Sequence, residues 1–369
     1  MKDYKRNILI VSSEFPPQPG GIGNHAFNLA CYLSKNDYRV EVLTDERDPG
    51  SEDREFDAKL DFKVNRIKCR DWRFIMYFKR VILLFRLIKH ANTVIASGKF
   101  SLWQVALASF FYRRHYIAVI HGTEVNFRNA ILKSTINFAL KRMDDIIAVS
   151  HYTKSLVSKL NLKSVKVIPN GFDTNDWNNN DREDIDLKGD PKLITVGNVS
   201  RRKGQLNVIK HLSHLIKIYP DAHYHCVGIP TEKEPFLNTA KNLKIEEHIT
   251  FHGRVKHDKL NSFLKASDIF IMLSSPTSSG DVEGFGIAIL EANYCGVPAI
   301  GSLNCGIEDA IEHNSSGLLI NHGETDEFIE AVNTIMKNKE DFCRNSKLWA
   351  TNFSWDHVIK SYIEVLDKK

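Results

Sequence analysis

The stretch DVEGFGIAILEANYCGVP, residues 281–298, combines two carboxylates with a glycine-rich turn. Glu283 precedes Gly284 and Gly286, and Glu291 lies one turn inside the helix that the following residues predict. A helix N-terminus presents free backbone N–H groups, which bind phosphate. Carboxylates accept hydrogen bonds from paired hydroxyls and stabilise a positive oxocarbenium centre. The pattern therefore predicts a turn that holds phosphates, with a glutamate on either side that holds a sugar.

A second candidate anion site is VGNVSRRKGQ, residues 196–205, which follows a predicted strand. It places Arg201, Arg202 and Lys203 where a loop meets a helix. Cations at a helix N-terminus are unfavourable for the helix itself, so they make sense if an anion lies between them and the helix. A solvated basic turn is the alternative.

The first half of the chain contains two further candidates. In SSEFPPQPGGIGNHA, residues 12–26, three glycines precede a helix expected to begin near Asn24, and backbone N–H groups there could approach a phosphate. A flexible strand-to-helix loop explains the same glycines. In VIHGTEVNF, residues 119–127, His121 and Glu124 lie just past a predicted strand, where a functional and a structural histidine are equally reasonable.

The elements that would position these residues alternate along the whole chain. Amphipathic segments such as NHAFNLACYLSK separate short β-branched runs: NILIVSS, RVEVLT, FKVNRI, TVIAS, YIAVIHG, DIIAVS, VKVIPN, KLITVGN, HYHCVG, ITFHG, DIFIMLS, PAIGS and GLLIN. Continuous apolar runs are typical of buried parallel strands, which need helical crossovers. The sequence therefore predicts an α/β protein made of two doubly wound domains, with ligands at the carboxyl ends of the strands in a cleft between them.

The predicted domains are an N-terminal one over residues 1–180 and a C-terminal one over residues 190–352. The polar stretch 171–191 would link them, because it has no apolar period. Residues 353–369 predict a final amphipathic helix that packs back toward the N-terminal domain.

Composition limits the possible classes. The chain has 369 residues, of which 43% are hydrophobic and 26% charged, and a net charge of +5. This charge is too small to indicate a nucleic-acid partner but is compatible with anionic ligands or an anionic membrane surface. The six cysteines are scattered without a CxxC pair, and the first residues contain no signal-peptide pattern, so we expect a cytoplasmic protein.

Several of these motifs, in this order, resemble glycosyltransferase family 4, the retaining enzymes with the GT-B fold. The resemblance covers nearly the whole chain and rests on GGIGNH, HGTE, IPNGFD, VGNVSRRKG, FHGRV and the EGFGIAILE stretch with GVP after it. It implies two Rossmann-like domains that face a central cleft. It also implies transfer of a hexosyl unit from a UDP- or GDP-sugar to a glycan or lipid-linked acceptor, in cell-surface polysaccharide or glycolipid biosynthesis.

The resemblance also assigns the donor nucleotide to the second domain. Glu291 would hold the ribose hydroxyls, and Gly253, Arg254 and Val255 would border the base. The backbone N–H groups of Phe285, Gly286 and Ile287 would bind the diphosphate.

For the chemical step, the resemblance implies that Arg202 and Lys203 neutralise the leaving diphosphate. Glu283 would face the transferred sugar, and His121 would hydrogen-bond that sugar from the other domain. Gly21 would approach the diphosphate from the first domain.

One position departs from the family pattern. Asn198 stands where the family often has an arginine, so Arg201 or Arg202 would have to supply the second cation. Fixed cations and helix N-termini can stabilise a leaving diphosphate in place of Mg²⁺. We therefore expect no metal and no cofactor, and the only Asp-x-Asp pair, Asp184 and Asp186, is interpreted as solvated linker.

Three alternatives stay open at this point. A sugar-nucleotide 2-epimerase would share the architecture and turn over its substrate without an acceptor. An NAD-dependent oxidoreductase would also have two Rossmann-like halves, but the GxGxxG fingerprint is absent. A non-catalytic relative would bind only donor or lipid, which the intact Glu283, Glu291 and Lys203 disfavour.

The stretch 71–92, DWRFIMYFKRVILLFRLIKHAN, mixes aromatic and basic residues. Such a helix could lie on an anionic membrane, at the inner face of the plasma membrane, with FFYRRHY (110–116) in the same patch. The alternative, which the apolar face slightly favours, is a core-packing helix whose arginines reach out to water.

Overall fold

The structure is a computed structural model, and it describes residues 4–46, 51–68, 73–177, 185–277 and 280–368. The chain forms two compact units, Met1–Gly171 with Trp355–Lys369, and Phe172–Ser354. These limits differ from the predicted ones because residues just after Gly171 pack on the second unit. The Phe172 N–H donates to the Phe353 carbonyl at 3.1 Å, and the Asn261 amide donates to the Trp177 carbonyl at 2.9 Å.

Within its described residues, the first unit contains a seven-stranded parallel sheet in the order β3-β2-β1-β4-β5-β6-β7. The strands are Asn7–Ser12 (β1), Arg39–Glu46 (β2), Lys63–Lys68 (β3), Thr93–Ser97 (β4), His115–Ile120 (β5), Asp145–Ala148 (β6) and Val165–Val167 (β7). The inner strands are buried on both faces, which explains why they read as unbroken apolar runs.

Helices connect these strands on both faces of the sheet. They are Gly21–Lys35 (α1), Glu52–Asp57 (α2), Arg73–Leu87 (α3), Lys99–Ala108 (α4), Ala130–Lys141 (α5) and His151–Ser155 (α6), with short 3-10 helices at Ile88–His90, Thr123–Val125 and Ser158–Leu160. Helix α1 buries Ala26, Leu29 and Leu33, a spacing that makes one apolar stripe. It begins at Gly21 and not near Asn24, because the Asn24 N–H already donates to the Gly20 carbonyl at 2.9 Å.

The second unit has a six-stranded parallel sheet in its described residues, in the order β10-β9-β8-β11-β12-β13. Its strands are Lys192–Val196 (β8), His223–Val227 (β9), Ile249–Gly253 (β10), Ile269–Met272 (β11), Ala299–Ser302 (β12) and Gly317–Ile320 (β13). Its helices are Gln205–Leu215 (α7), Lys233–Asn242 (α8), His257–Lys265 (α9), Ile287–Tyr294 (α10), Thr325–Lys337 (α11) and Lys339–Thr351 (α12), and its 3-10 helices are Thr174–Trp177, Arg201–Lys203, Glu246–His248 and Gly306–Ala310.

All strand runs predicted from the sequence form strands in the described part of the chain, and both sheets have the predicted doubly wound parallel form. The strand order reverses between β1 and β4 in the first unit and between β8 and β11 in the second. Loops at these switch points are where open α/β sheets bind ligands.

The last helix of the chain, Trp355–Asp367 (α13), belongs to the first unit and packs on α1. The Tyr38 hydroxyl donates to Asp367 at 2.8 Å, and the Trp355 ring stacks on Tyr32 with centroids 5.9 Å apart. Trp355 and Tyr362 are fully buried. The helix therefore completes the core of the first unit.

Helix α3 corrects one expectation about its basic residues. Arg80 does not reach out to water, since its side chain is fully buried. Its guanidinium donates to both oxygens of Asp45 at 3.0 and 3.1 Å and to the Ser13 hydroxyl at 3.2 Å. Leu84 is buried on the same helix, whereas Phe78 is 67% exposed. The helix thus packs in the core along one side and exposes aromatic surface on another; residues 71 and 72 lie outside the described residues.

Candidate active site

The basic turn of the second unit follows β8 and is held by buried contacts. Gly204 has φ +84°, and a Cβ there would lie 2.0 Å from the Leu273 carbonyl oxygen, so only glycine fits. The fully buried Gln205 accepts from the Ser200 N–H and donates to the Asn198 carbonyl, both at 3.1 Å. These contacts fix the 3-10 helix that carries Arg201–Lys203 at the carboxyl end of the sheet.

The glycine turn at residues 283–286 precedes α10 and, like the basic turn, is held by buried contacts. Gly286 caps the helix with φ +85°, a conformation that side chains rarely adopt. The Phe285 ring is buried against Phe353, with centroids 5.9 Å apart. The Gly306 N–H donates to the Glu283 carbonyl at 2.9 Å. The Phe285 ring and the Glu283 carbonyl therefore anchor the turn. The free N–H groups at the N-terminus of α10 come directly after it.

These two turns bring Arg202, Lys203 and Glu283 into direct contact, a group called the donor cluster below. The Lys203 ammonium lies 2.9 Å from a Glu283 carboxylate oxygen, and the Arg202 guanidinium donates to the same oxygen. The Glu283 side chain is 11% exposed. Burial alone would raise the pKa of Glu283, but Lys203 and Arg202 outweigh it and hold the pKa below its ordinary value.

Of the two candidate arginines, Arg202 belongs to the donor cluster, and its role as the second diphosphate cation stays a prediction. Arg201 turns away toward Glu232, at 3.7 Å, and its side chain is 68% exposed. Arg202 is the one that joins Lys203. The structure also places Glu283 against the two cations that the family resemblance assigns to the diphosphate. The sequence motifs did not predict this contact.

Glu291 lies inside α10, whereas the donor cluster residues lie outside that helix. Burial raises the pKa of Glu291 to about 7; Lys203 opposes this rise, and Asp176 adds to it. A carboxylate is a strong acceptor for hydroxyl donors once it is ionised. This environment agrees with the assigned ribose contact, which stays a prediction.

The residues predicted to border the base begin with Gly253, the last residue of β10. Gly253 has φ +71°, and its carbonyl accepts from the Gly228 N–H at 2.8 Å. Arg254 is exposed and Val255 half-buried. Just before them, His252 lies 3.0 Å from His225, ring nitrogen to ring nitrogen. The structure therefore places this segment at a strand end, and its contact with a base stays a prediction.

In the first unit, Gly21 opens α1 and is exposed, and a Cβ added there would meet nothing within 4 Å. His121 directly follows β5, as predicted, and its Nε2 lies 2.9 Å from the Ser97 hydroxyl. Burial lowers the pKa of His121 to about 4, so the ring is neutral near pH 7. The assigned contacts of both residues with the donor remain predictions.

His25, the last residue of GGIGNH, contacts His121 and was not predicted from the sequence. Its ring lies edge-on to His121 with centroids 5.1 Å apart, and its Nε2 hydrogen-bonds the Tyr362 hydroxyl at 2.9 Å. His25 thus links α13 to His121. The helical spacing of the sequence could have indicated this residue, because His25, Leu29 and Tyr32 share the buried face of α1. A buried polar side chain on such a face needs a hydrogen-bond partner.

Within the part of the chain that the structure describes, no group of three His, Cys, Asp or Glu side chains could hold a metal ion. No described helix has both the length and the apolar character needed to cross a membrane. Asp184 of the Asp-x-Asp pair lies outside the described residues.

Two family models match adjoining parts of the chain. Residues 19–176 match "Glycosyltransferase Family 4", and residues 178–348 match "Glycosyl transferases group 1". The chain therefore belongs to the group 1, family 4 glycosyltransferases, as the sequence motifs indicated.

Among curated relatives, the chain is 28% identical over 236 residues to the N-acetyl-alpha-D-glucosaminyl L-malate synthase of Bacillus anthracis. This match covers 61% of the chain and 59% of that relative. The GDP-mannose-dependent alpha-(1-6)-phosphatidylinositol monomannoside mannosyltransferase of Mycobacterium tuberculosis is 26% identical over 234 residues, with 61% of each protein covered. Its counterpart in Mycolicibacterium smegmatis is 25% identical over 346 residues and 89% of each protein. In the first two matches, the chain thus spans about three-fifths of its relative.

Solved structures with the same fold include Anabaena Alr3699/HepE in complex with UDP and glucose, with a TM-score of 0.78, 19% identity, and 99% of this chain and 100% of that one covered. Sucrose-phosphate synthase from Thermosynechococcus elongatus has a TM-score of 0.79 at 16% identity, with 99% of each chain covered. The predicted GT-B fold is confirmed.

Proposed function

We propose that this protein is a retaining glycosyltransferase that moves a hexosyl unit from a UDP- or GDP-sugar to a glycan or lipid-linked acceptor, and that it needs no metal ion. The donor cluster carries the proposal. A lysine and an arginine meet a glutamate beside a glycine turn that opens a helix, and this is the group of residues that departure of a diphosphate requires.

In the proposed step, the bond between the anomeric carbon and the diphosphate oxygen breaks, and the diphosphate gains charge. The oxygen of an acceptor hydroxyl forms the new bond to that carbon with the configuration retained, and the hydroxyl proton leaves with the diphosphate. Lys203 and Arg202 neutralise that charge, together with the N–H groups of Gly286 and Ile287 at the start of α10. These cations are held by Glu283 in the structure, so binding of a diphosphate exchanges one anionic partner for another. Glu283 then faces the positively charged sugar, where its negative charge is stabilising.

The remaining donor contacts keep the roles that the family resemblance assigns. Glu291 accepts hydrogen bonds from the ribose hydroxyls, and Gly253, Arg254 and Val255 border the base. His121 donates to or accepts from a hydroxyl of the transferred sugar, and Gly21 leaves room for the diphosphate. The family assignment favours transfer over epimerisation or hydride chemistry, and we propose that the product is a cell-surface polysaccharide or glycolipid.

The test is a screen of UDP- and GDP-sugars for hydrolysis and transfer, with and without EDTA. We expect at least one sugar nucleotide to be turned over at an unchanged rate in EDTA, with the anomeric configuration retained by NMR. Strict dependence on Mg²⁺ or Mn²⁺ would contradict the metal-free step. Turnover without any acceptor to a second sugar nucleotide would identify an epimerase instead.

We also propose that α3, α4 and α5 rest on an anionic membrane, at the inner face of the plasma membrane. Aromatic rings link these helices at the surface: Phe85 contacts Phe111 at 5.3 Å, and Phe110 stacks on Phe138 at 6.2 Å, centroid to centroid. Phe78 and Phe111 are each 67% exposed. Such amphipathic surface favours the interface of a bilayer.

Charge supports an anionic lipid as the partner of this aromatic surface. Residues 75–142 contain a single acidic residue, Glu124, which is 3% exposed. Apart from the buried Arg80, the same residues contain these cations: Lys79, Arg86, Lys89, Lys99, Arg113, Arg114, Arg128, Lys133, Lys141 and Arg142. A basic surface with exposed aromatics is attracted by an anionic headgroup layer.

Sedimentation with vesicles tests this contact. The protein should bind phosphatidylcholine vesicles only when they contain about 30% phosphatidylglycerol, and salt should release it because screening weakens surface charge interactions. Exchanging Phe78 and Phe111 for Ser should abolish binding, whereas Leu348→Ser, at an exposed position of the second unit, should not. Equal binding to neutral vesicles, or no loss in the double variant, would contradict the proposal.

A further inference from the structure

His121 directly follows β5, and the first unit holds both its ring and its backbone. Strands β4 and β5 pair in parallel with Ser97 opposite Val119, and His121, two residues further on, lies on the same side as Val119. The His121 Nε2 therefore reaches the Ser97 hydroxyl, at 2.9 Å. The backbone N–H of His121 donates to Glu124 at 2.6 Å. Together these two contacts fix where the imidazole lies.

The burial of Ser97 determines which group donates the proton in its bond with His121. Ser97 is the last residue of β4 and is 1% exposed. Its hydroxyl has no second hydrogen-bond partner among the described residues. If the His121 Nε2–H donated to Ser97, the buried hydroxyl proton would be left without an acceptor, which is costly. If Ser97 donates, its proton is satisfied and the Nε2 of His121 is an unprotonated acceptor.

An unprotonated Nε2 fixes the tautomer of His121. Burial lowers the pKa of His121 to about 4, so the ring is neutral near pH 7 and carries one proton. With Nε2 as the acceptor, that proton is on Nδ1. No described residue hydrogen-bonds Nδ1. The Nδ1–H of His121 is therefore a donor that the protein itself does not use.

The neighbours of His121 also favour a neutral ring. His25 lies edge-on to it, with centroids 5.1 Å apart and ring planes at 78°. His25 is 4% exposed, and its Nε2 bonds the Tyr362 hydroxyl at 2.9 Å. Burial, and after it the effect of His121, lowers the pKa of His25. The contact of Glu124 is with the backbone N–H of His121 and not with its ring. A charge on either ring would thus be buried beside another histidine, which is unfavourable.

We infer that Ser97 is a positioning residue that holds His121 as the neutral Nδ1–H tautomer, and that this N–H donates to a hydroxyl oxygen of the transferred sugar. The inference rests on the proposed glycosyltransferase function and adds the direction of the His121 contact. A neutral donor suits this place because the sugar gains positive charge as its bond to the diphosphate breaks, and an imidazolium would repel that charge. A histidine whose pKa is lowered can act as such a neutral donor.

Nitrogen NMR of the whole protein with ¹⁵N-labelled histidine measures the tautomer at pH 7, and the spectrum of His121→Asn assigns the His121 signals. In the unmodified protein, Nε2 should have the chemical shift of an unprotonated nitrogen and Nδ1 that of a protonated one. Ser97→Ala should move the ring toward the other tautomer because it removes the donor to Nε2, whereas Ser97→Thr keeps a hydroxyl and should keep the Nδ1–H. A protonated Nε2 in the unmodified protein, or an unchanged tautomer in Ser97→Ala, would overturn the inference.

Turnover and nucleotide affinity separate a positioning role from a merely structural one. With the sugar nucleotide that the screen finds to react fastest, Ser97→Ala should lower kcat by about three- to tenfold, the range for one neutral hydrogen bond, and Ser97→Thr should restore it. Affinity for bare UDP or GDP should not change, because the inferred contact is with the sugar. A thermal unfolding curve checks that each variant is folded.

The matched control is Ser346→Ala, which removes an equally buried hydroxyl on α12, bonded to the Cys343 carbonyl at 3.1 Å. It should change neither kcat nor the tautomer of His121. A folded Ser97→Ala protein with unchanged kcat would overturn the inference. If the unmodified protein turns over no UDP- or GDP-sugar, the proposed function fails instead. The NMR spectrum needs no substrate, so it still decides whether Ser97 sets the tautomer, and the two failures are distinguishable.

Discussion

Glu283 in the donor cluster of the second unit and Glu124 in the first unit are both buried carboxylates, but their charge is balanced differently. Glu283 lies against Lys203 and Arg202, and its pKa is held below the ordinary value. Glu124 has a backbone N–H on one oxygen and no partner on the other among the described residues, and burial raises its pKa to about 7. The first arrangement contains cations that can change partner, which suits a diphosphate. The second relies on a backbone N–H, so its carboxyl group is close to half protonated near pH 7.

Among the variants proposed here, Lys203→Ala in the donor cluster should cause the largest loss of turnover. Lys203→Ala should lower kcat by about 10²- to 10³-fold, the usual cost of losing one fixed group that stabilises developing charge. The fold should persist, because Arg202 still pairs with Glu283. The measurements are the donor hydrolysis rate and a thermal unfolding curve, with Lys210→Ala, on the exposed face of α7, as the control. Unchanged turnover in folded Lys203→Ala protein would mean that the basic turn is only solvated surface.

The next largest effects should distinguish the roles of Glu283 and Glu291 in nucleotide binding and turnover. Glu291→Gln should weaken binding of UDP or GDP by about 1.5–3 kcal/mol, because the ribose hydroxyls lose a charged acceptor. Glu283→Gln should bind the same nucleotide equally or more tightly, since Lys203 and Arg202 lose their competing carboxylate. It should nevertheless lose most turnover.

Calorimetric titration of both variants, with initial rates, measures this separation. Glu330→Gln, exposed on α11, is the matched control. Equal losses of nucleotide affinity in the two variants would make the stretch one nucleotide-binding unit and refute the division of roles.

The raised pKa of Glu291 also predicts that affinity for a sugar nucleotide depends on pH. Its raised pKa of about 7 means that the carboxylate is mostly protonated below pH 7 and mostly ionised above it. If the ribose binds the ionised form, affinity for an intact sugar nucleotide should rise by about tenfold from pH 6 to pH 8. Lys203 and Asp176 are the charged groups that act on Glu291 and set this midpoint.

An intact sugar nucleotide is the appropriate probe for that measurement, because its diphosphate has no terminal phosphate to titrate near neutrality. Glu291→Gln should remove the pH dependence. A slope that survives in the variant would assign it to another group.

The smallest expected effect concerns the support of His121 in the first unit. Tyr362→Phe removes the buried hydrogen bond to His25 and should lower the free energy of unfolding by about 1 kcal/mol. The matched change Tyr219→Phe, whose hydroxyl bonds Asn333 at the exposed surface of the second unit, should have less effect. Chemical denaturation of both variants measures the difference, and equal stabilities would show that the His25 contact contributes nothing.

The sequence by itself determined the fold and the motifs. The buried inner strands are continuous apolar runs, and helices such as α1 and α11 carry an apolar stripe, so the order of elements could be predicted from local periodicity. The turns at Gly204 and Gly286 were also readable, since their chemistry lies within a few residues of the chain. Where prediction failed locally, as with the start of α1, the error was a few residues at a helix end, where the backbone hydrogen bonds of the first turn decide the limit.

Only the tertiary structure decided which charges meet. Arg202 and Glu283 are far apart in sequence, and their contact depends on β8 and β11 lying side by side in the sheet. The choice of Arg202 over Arg201, the burial of Arg80 against Asp45, and the link from Tyr362 through His25 to His121 are of the same kind. Hydrogen bonds and ion pairs act over a few ångströms between residues that local pattern cannot place together. For that reason the sequence motifs indicated the chemistry, whereas packing within each unit determined which groups contact each carboxylate.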